Sequence, residues 1–385
     1  MTRQRVASLA AVLLVGGAAA AAARVTRYET PLSQGREDDR AGPDSGRVAK
    51  LLDALTATDP MVCTMLVDQL GNFWWDGNRN RVGSFSDAPA ETQAVRDSLH
   101  RRVRDSKAIA LLVSHLKDEA PCPRRGAAKL LGRSTITTAR LVSLMDDGSP
   151  RVQEAAAYAI GSDERYGARP ALESKLSSSS EPIAAMSAWA LSEIHDSVPA
   201  STFLRALESR HVRVRISGAD GLGHDEMREH RVALERAIRD EDAGVREAVV
   251  HALGDLQSPL SAPVLATALG DRDRRVRIAA AHAFSDLDEL NTAPTALVRA
   301  AESDDAELAE AAIHALAEIH DPATIDVLIG RLTSPSRDIR LKVVEALGNI
   351  GSAKAVPGLM KALNDRDPEV RRAAAEALGD IKEGN

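Results

Sequence analysis

The chain has 385 residues, of which 44% are apolar but only 3% aromatic, and it carries a formal charge of -7. So few rings leave little bulk for large globular cores, so a thin array of small units is expected in place of two or three compact domains. Acidic and basic residues are interspersed with a negative balance, which excludes the clustered lysine and arginine that phosphate contacts need and speaks against a nucleic-acid partner.

Arg3 and Arg5 precede an uncharged run from Val6 to Ala23 that ends in "AAAAAA". Residues 1–23 read as a secretory signal peptide with small side chains at its cleavage end. Retained, the run would be an N-terminal membrane anchor, but it falls short of the ~20 residues of a spanning helix and is followed by Arg24 and Arg27. Export to a periplasmic or extracellular location is therefore expected, membrane-anchored if the segment stays. Residues 24–46 are polar with turn formers throughout and read as a flexible linker. Cys63 and Cys122 are the only cysteines. Their count allows one disulfide, but the repeat frame separates them by about two units, so both are expected to be small apolar fillers.

Residues 47–107 read as atypical N-terminal capping repeats with an aromatic loop at 71–90. Phe73, Trp74, Trp75 and Phe85 cluster there in a Gly-, Asn- and Arg-rich stretch where a regular first helix should stand. Two readings are open. The rings cover the exposed end of the stack, or Trp74 and Trp75 anchor a partner from a recognition loop. The same stretch holds a partial calcium-loop pattern in Asp76, Asn78, Asn80, the carbonyl of Val82, Ser84 and Asp87. Arg81 stands where the turn needs Gly, and Asp87 where a bidentate Glu is usual, so any such site would be weak.

From residue 108 to 383 one unit is written repeatedly. "DPEVRRAAAEALGDI" from Asp367 to Ile381 recurs upstream as "SRDIRLKVVEALGNI", "DRRVRIAAAHAFSDL" and "DAGVREAVVHALGDL". The head of each copy falls at Ile183, Val214, Val245, Val276, Leu308, Ile339 and Val370, with fainter copies at Val62, Pro123 and Val152. Apolar residues three, four, seven, eight and eleven positions after a head form one helical stripe. Asp242, Asp273, Asp305 and Asp367, three before their heads, are expected N-caps. A shorter amphipathic helix, commonly opened by Pro, precedes each. No unit can bury its stripe alone, so stacking is obligatory. The expected fold is all-α, an α-solenoid superhelix of about ten helix pairs.

The Asp followed by Val-Arg before "AAxALG", as in Asp242, Val245 and Arg246 or Asp367, Val370 and Arg371, resembles the HEAT repeat family, and in particular the short HEAT-like repeats of phycobilisome lyases. The resemblance spans residues 47–383. It implies an ARM-type solenoid in which Arg215, Arg246, Arg277, Arg340 and Arg371 form a ladder facing Asp residues of neighbouring turns. Leu308 is followed by Ala309, so its unit lacks the rung. Two enzyme families, bilin lyases and deoxyhypusine hydroxylases, are built on related repeats. An export signal speaks against the first, and the absence of any His-Glu dipeptide against the second.

His251, His282 and His314 stand six residues after their heads, opposite the buried stripe. Such a column is either a solvated face or a metal site, but imidazoles a helix diameter apart cannot share one ion at bonds of about 2 Å. His195 and His320 replace the Gly of other units just past the helix end, where a left-handed cap is expected. There is no phosphate loop, nucleophile elbow or clustered Cys/His site. The expected function is an exported scaffold or adaptor, needing no cofactor, that binds a protein through its second helices. The candidate contacts are Glu247, His251, His282, Glu310, His314, Glu345 and Glu376, with Trp74 and Trp75, and their acidity suits a basic partner surface. The other class is an enzyme of a HEAT-like lyase or oxidoreductase family, or a metal-dependent binding protein.

Overall fold

The computed structural model describes residues 42–56, 63, 67, 101–194 and 198–383. The expectations placed on residues 1–23, on the aromatic loop with Trp74, Trp75, Asp76, Asn78, Asn80 and Asp87, and on His195 lie outside the described residues. Within them the chain forms α-helices and short 3-10 turns, and an isolated bridge joins Val103 to Ser134.

After α1 (Ser45–Thr56), which begins inside the segment read as a linker, short and long helices alternate. The first pair is α2 (Ser106–His115) with α3 (Pro121–Gly132), followed by α4 (Thr138–Leu144) with α5 (Pro150–Ser162) and α6 (Arg169–Lys175) with α7 (Glu181–Glu193). Then come α8 (Ala200–Leu207) with α9 (Val212–Leu222), α10 (Arg231–Ala237) with α11 (Ala243–Asp255), and α12 (Ala262–Ala268) with α13 (Arg274–Ser285). The last are α14 (Thr295–Ala301) with α15 (Ala306–Ile319), α16 (Ile325–Arg331) with α17 (Arg337–Ile350), and α18 (Val356–Ala362) with α19 (Pro368–Glu383). Each odd-numbered helix from α3 packs on the next odd one, and each short helix packs on its own partner. This is an α-solenoid.

The heads are what the stack hides. Val152, Val214, Val245 and Val276 are buried, and so are the residues eight positions later, Ile160, Leu222, Leu253 and Phe284. The Gly of the repeat has a packing reason. A Cβ built on Gly254 would lie 3.0 Å from the Ala283 Cβ of the next second helix, and one on Gly348 2.9 Å from that of Ala377. Gly161 meets Ala190 and Gly223 meets Ala252 in the same register. Small residue on small residue thus brings neighbouring second helices close. The N-caps form as expected: Asp242 Oδ1 accepts from the N–H groups of Gly244 and Val245 at 2.8 and 3.2 Å, and Asp273, Asp305 and Asp367 cap α13, α15 and α19.

Three rungs of the arginine ladder are complete. Arg215 pairs with Asp240, Arg246 with Asp271 and Arg340 with Asp365, each reaching the turn of the following unit. Among the described residues Arg277 binds the carbonyls of Asp271 and Arg272 and no carboxylate, and the residue at the next turn is Glu302. Arg274 and Arg337 add ion pairs between units, to Asp305 and Asp367.

The cysteine expectation is corrected. Cys63 and Cys122 form a disulfide, with Cα atoms 5.7 Å apart. Counting repeats overestimated their separation because the N-terminal elements do not continue the regular spacing. α1 packs against both α2 and α3, and its first backbone N–H, at Ser45, donates to the N-capping Asp105 at 3.0 Å. A chain folded back in this way brings Cys63 to the N-terminal end of α3.

Candidate partner-binding groove

Six residues after each head, the second helices present one row of side chains. Along α3 to α19 it reads Lys129, Tyr158, Trp189, Asp220, His251, His282, His314, Glu345 and Glu376. The three histidines are exposed and occupy successive helices as expected. His282 reaches solvent, yet the protein packed around its ring, and after that the charges of His314 and His251, hold its imidazole below its ordinary pKa. Among the described residues no three of His, Cys, Asp or Glu stand close enough to hold a metal ion.

Two expected members of the column are displaced. Glu247 and Glu310 follow their heads by two residues, not six, and so stand one turn earlier on α11 and α15. The row is also less acidic than its composition suggests. Arg275 lies 3.6 Å from Glu247, Lys342 2.9 Å from Glu345 and Arg372 2.7 Å from Glu376. Glu310 is different: burial, then the nearby Asp338, push its carboxyl above the usual range.

The same row holds a site that the sequence reading passed over. Tyr158 and Trp189 stack with ring centroids 5.2 Å apart and planes at 21°. They line a groove of about 580 Å³ that crosses α3, α5, α7 and α9, all second helices. Small residues, Ala128, Ala155, Ala185 and Ser217, leave the hollow open, and Met186 and Ile216 extend its apolar wall. Arg124, Arg125 and Arg213 line it near the helix N-terminal ends, and Asp220, six residues after the head of α9 and close to that helix's C-terminal end, lines it beyond Trp189. Solvent reaches Asp220, yet the hollow crowds protein around its carboxyl. Burial, then the charges of Asp255 and Glu193, push it up to about 7. It is therefore divided between its two protonation states near neutrality.

The signal for these residues was available. Counting six from Val152, Ile183 and Val214 reaches Tyr158, Trp189 and Asp220, as it reaches the histidines from later heads. What the count could not supply was the hollow that makes the stacked rings accessible from one side. A half-buried ring pair on a row otherwise polar is where apolar binding energy and fixed geometry coincide.

His320 has the expected left-handed conformation, φ 55 and ψ 31, at the end of α15, and its Nδ1 donates to the Glu318 carbonyl at 2.7 Å. It caps the helix.

The HEAT repeat profile matches residues 138–215, 200–285 and 325–384, more than half of the chain. No curated protein matches it in sequence. A crystal structure of an engineered protein is similar over 87% of this chain and 99% of its own, at 21% identity and a TM-score of 0.47. A chain from a structure of Kap95p with RanGDP is 13% identical over 88% of this chain and 51% of its own, with a TM-score of 0.53. A chain from the complex of CpcE and CpcF of phycocyanin lyase from Nostoc is 18% identical over 65% of this chain and 95% of its own, with a TM-score of 0.38. At these identities the likeness is one of fold. With its repeats matched over three segments and its helices stacked in pairs, this chain belongs to the HEAT repeat family.

Proposed function

We propose that this protein is an exported adaptor that binds another protein along the face of its second helices. One observation carries the reading. Within each second helix the buried positions repeat nearly unchanged, whereas the position six residues after the head varies from Lys through two rings, Asp and three His to Glu. A surface whose scaffold is constant and whose presented side chains differ unit by unit is suited to reading another surface. Its partner is a protein whose contacting surface is largely basic, the complement of Asp220, Glu310 and the acidic helix ends. Export is supported by the run at residues 1–23 and by the disulfide, since such bonds persist in oxidising compartments.

The test compares faces. Full-length protein is immobilised and challenged with extract of the exported compartment, next to a His282→Trp/Glu345→Trp variant and a Leu260→Ser/Met360→Ser variant. Leu260, in the 3-10 turn before α12, and Met360, on α18, are exposed apolar residues away from the second helices, at 66% and 53% accessibility. Partners retained by wild type should be lost from the first variant and kept by the second. The reverse pattern would remove the second-helix face from consideration. An enzymatic reading has one point in its favour, the Asp220 carboxyl near neutrality, a common condition for proton transfer.

A further inference from the structure

We propose that the outer face of α19 docks a helix pair of another protein, one that brings an aspartate to Arg371 and an alanine to Gly379. This goes beyond the adaptor reading and adds a second interface, distinct from the row of side chains six residues after each head.

Every second helix from α5 to α17 hides one side against the second helix that follows it. The residue five after the head is buried in each of them, Ala219, Val250, Ala281 and Val344 among them. Nine after the head, Gly161, Gly223, Gly254 and Gly348 each meet an Ala of the following helix. α19 carries the same kinds of residue at these positions, Ala375 and Gly379, and both are exposed. A Cβ on Gly379 would have no neighbour within 4 Å. The first helices agree. Ile329 of α16 is half-buried, and a Cβ on Gly358 of α18 would lie 2.6 Å from its side chain. Met360 holds the same place on α18, ten residues before the head, and is exposed. Terminal repeats of a solenoid commonly turn a polar side outward. This one turns out Met360, Ala375 and Gly379 at the positions with which inner units hold their neighbours.

Arg371 says what the occupant brings. In the three complete rungs, Nη1 of Arg215, Arg246 and Arg340 donates to a carbonyl of its own turn. Nε and Nη2 of each then grip an Asp five residues before the next head. Arg371 holds the same pose. Its Nη1 donates to the Asp365 carbonyl at 2.7 Å, and its Nε and Nη2 make no bond among the described residues. The edge that elsewhere receives a carboxylate is thus placed and open, which favours a bidentate partner. An open edge is no signal alone, because Arg277 also lacks a carboxylate, but Arg277 is half-buried under a following unit whereas Arg371 borders an uncovered face. A lone anion would leave Met360 and Ala375 bare, and a wholly apolar surface would bury Arg371 unpaired. A helix pair with an Asp five residues before the head of its second helix and an Ala seven after it satisfies both.

The chain's own last unit has this chemistry, since Asp365 meets Arg340 and Ala377 meets Gly348. A synthetic peptide of residues 353–383 is therefore the probe, labelled with fluorescein and titrated with the full chain while anisotropy is read. It should bind saturably. Ala375→Glu in the full chain should abolish binding, and Arg371→Ala should weaken it about tenfold. Both residues are exposed, so the melting temperature of each variant should match the wild type. An Asp365→Asn peptide should lose the same factor on the wild-type chain and nothing further on Arg371→Ala, because the two changes remove one ion pair. No saturable binding, binding that Ala375→Glu leaves intact, or additive losses from the two partners of the pair overturns the docking site. The adaptor reading is judged separately, since His282→Trp/Glu345→Trp leaves Arg371, Ala375 and Gly379 in place.

Discussion

Arg246 grips Asp271 through two parallel bonds, Nε to Oδ2 at 2.7 Å and Nη2 to Oδ1 at 2.8 Å, while Asp271 Oδ1 also accepts the backbone N–H of Asp273 at 2.8 Å. Arg246 Nη1 meanwhile donates to the carbonyls of Asp240 and Glu241. One guanidinium thus ties its own turn to the next, and at 4% exposure it is screened little by solvent. Arg246→Ala should remove about 3–5 kcal/mol, since it strands a partly buried carboxylate. Arg372→Ala, which breaks an exposed pair with Glu376, should cost about 0.5 kcal/mol or less. Urea unfolding of the two variants checks the contrast, and equal losses would deny the ladder its stabilising role.

Ladder carboxylates and Asp220 respond to pH in opposite senses. The bond from Arg246 holds Asp271, and that from Arg340 holds Asp365, below the usual carboxylate range. Their contribution is present above the unfolded value near ~4 and is lost as pH falls through the lower folded values. Asp220 is raised to about 7 by burial, then by Asp255 and Glu193, so its unfavourable ionisation is absent below ~4, grows up to about 7 and is constant above. Asp220→Asn should therefore raise the melting temperature at pH 8 and leave it unchanged at pH 4. A uniform shift at both pH values would contradict the assigned cause.

The disulfide closes a sequence separation of 59 residues between Cys63 and Cys122. Constraining a loop of that length stabilises by about 4 kcal/mol in the chain-entropy estimate. A thiol reductant should lower the melting temperature of the wild-type protein and leave that of Cys63→Ser/Cys122→Ser unmoved. Differential scanning calorimetry with and without reductant makes the comparison.

Gly221 is needed where Gly148 is not. A Cβ on Gly221 would lie 2.3 Å from the ring of Phe203, a fully buried side chain of α8, whereas one on Gly148 meets nothing within 4 Å. Gly221→Ala should cost about 1–3 kcal/mol through overpacking. Gly148→Ala, at a turn without positive φ, should be neutral or stabilising by about 0.4–1 kcal/mol through the unfolded chain. Thermal melts of the pair decide whether the close approach in α9 is real.

His320 adopts φ 55 at the end of α15, a conformation that costs a side-chain-bearing residue about 1–2 kcal/mol. Gly351 fills the equivalent end of α17 at φ 65. His320→Gly should raise stability by up to about 1 kcal/mol despite losing the bond to Glu318, and His320→Val should lower it. If Gly destabilises, the imidazole does more than cap.

Much of this protein was decided by the order of its residues. The 31-residue recurrence of heads such as Val214, Val245 and Val276 dictates an apolar stripe that only a neighbouring copy can hide, and Asp242 or Asp273 marks where each second helix begins. The left-handed His320 was equally legible, because capping depends on residues at fixed local offsets, whereas the arginine ladder was implied by the family resemblance and three of its five expected rungs pair with an Asp. The exposed histidine row followed from the same count. Three things depended on the tertiary structure. Cys63 met Cys122 because α1 folds back on α2 and α3 out of register with the repeat. Tyr158 and Trp189, 31 residues apart, became one stacked surface because small residues around them leave a hollow. Asp220 moved toward neutrality because Glu193 and Asp255 converge on it from two other helices. Local offsets are written in the chain, whereas the distance between side chains on different helices exists only once those helices have packed.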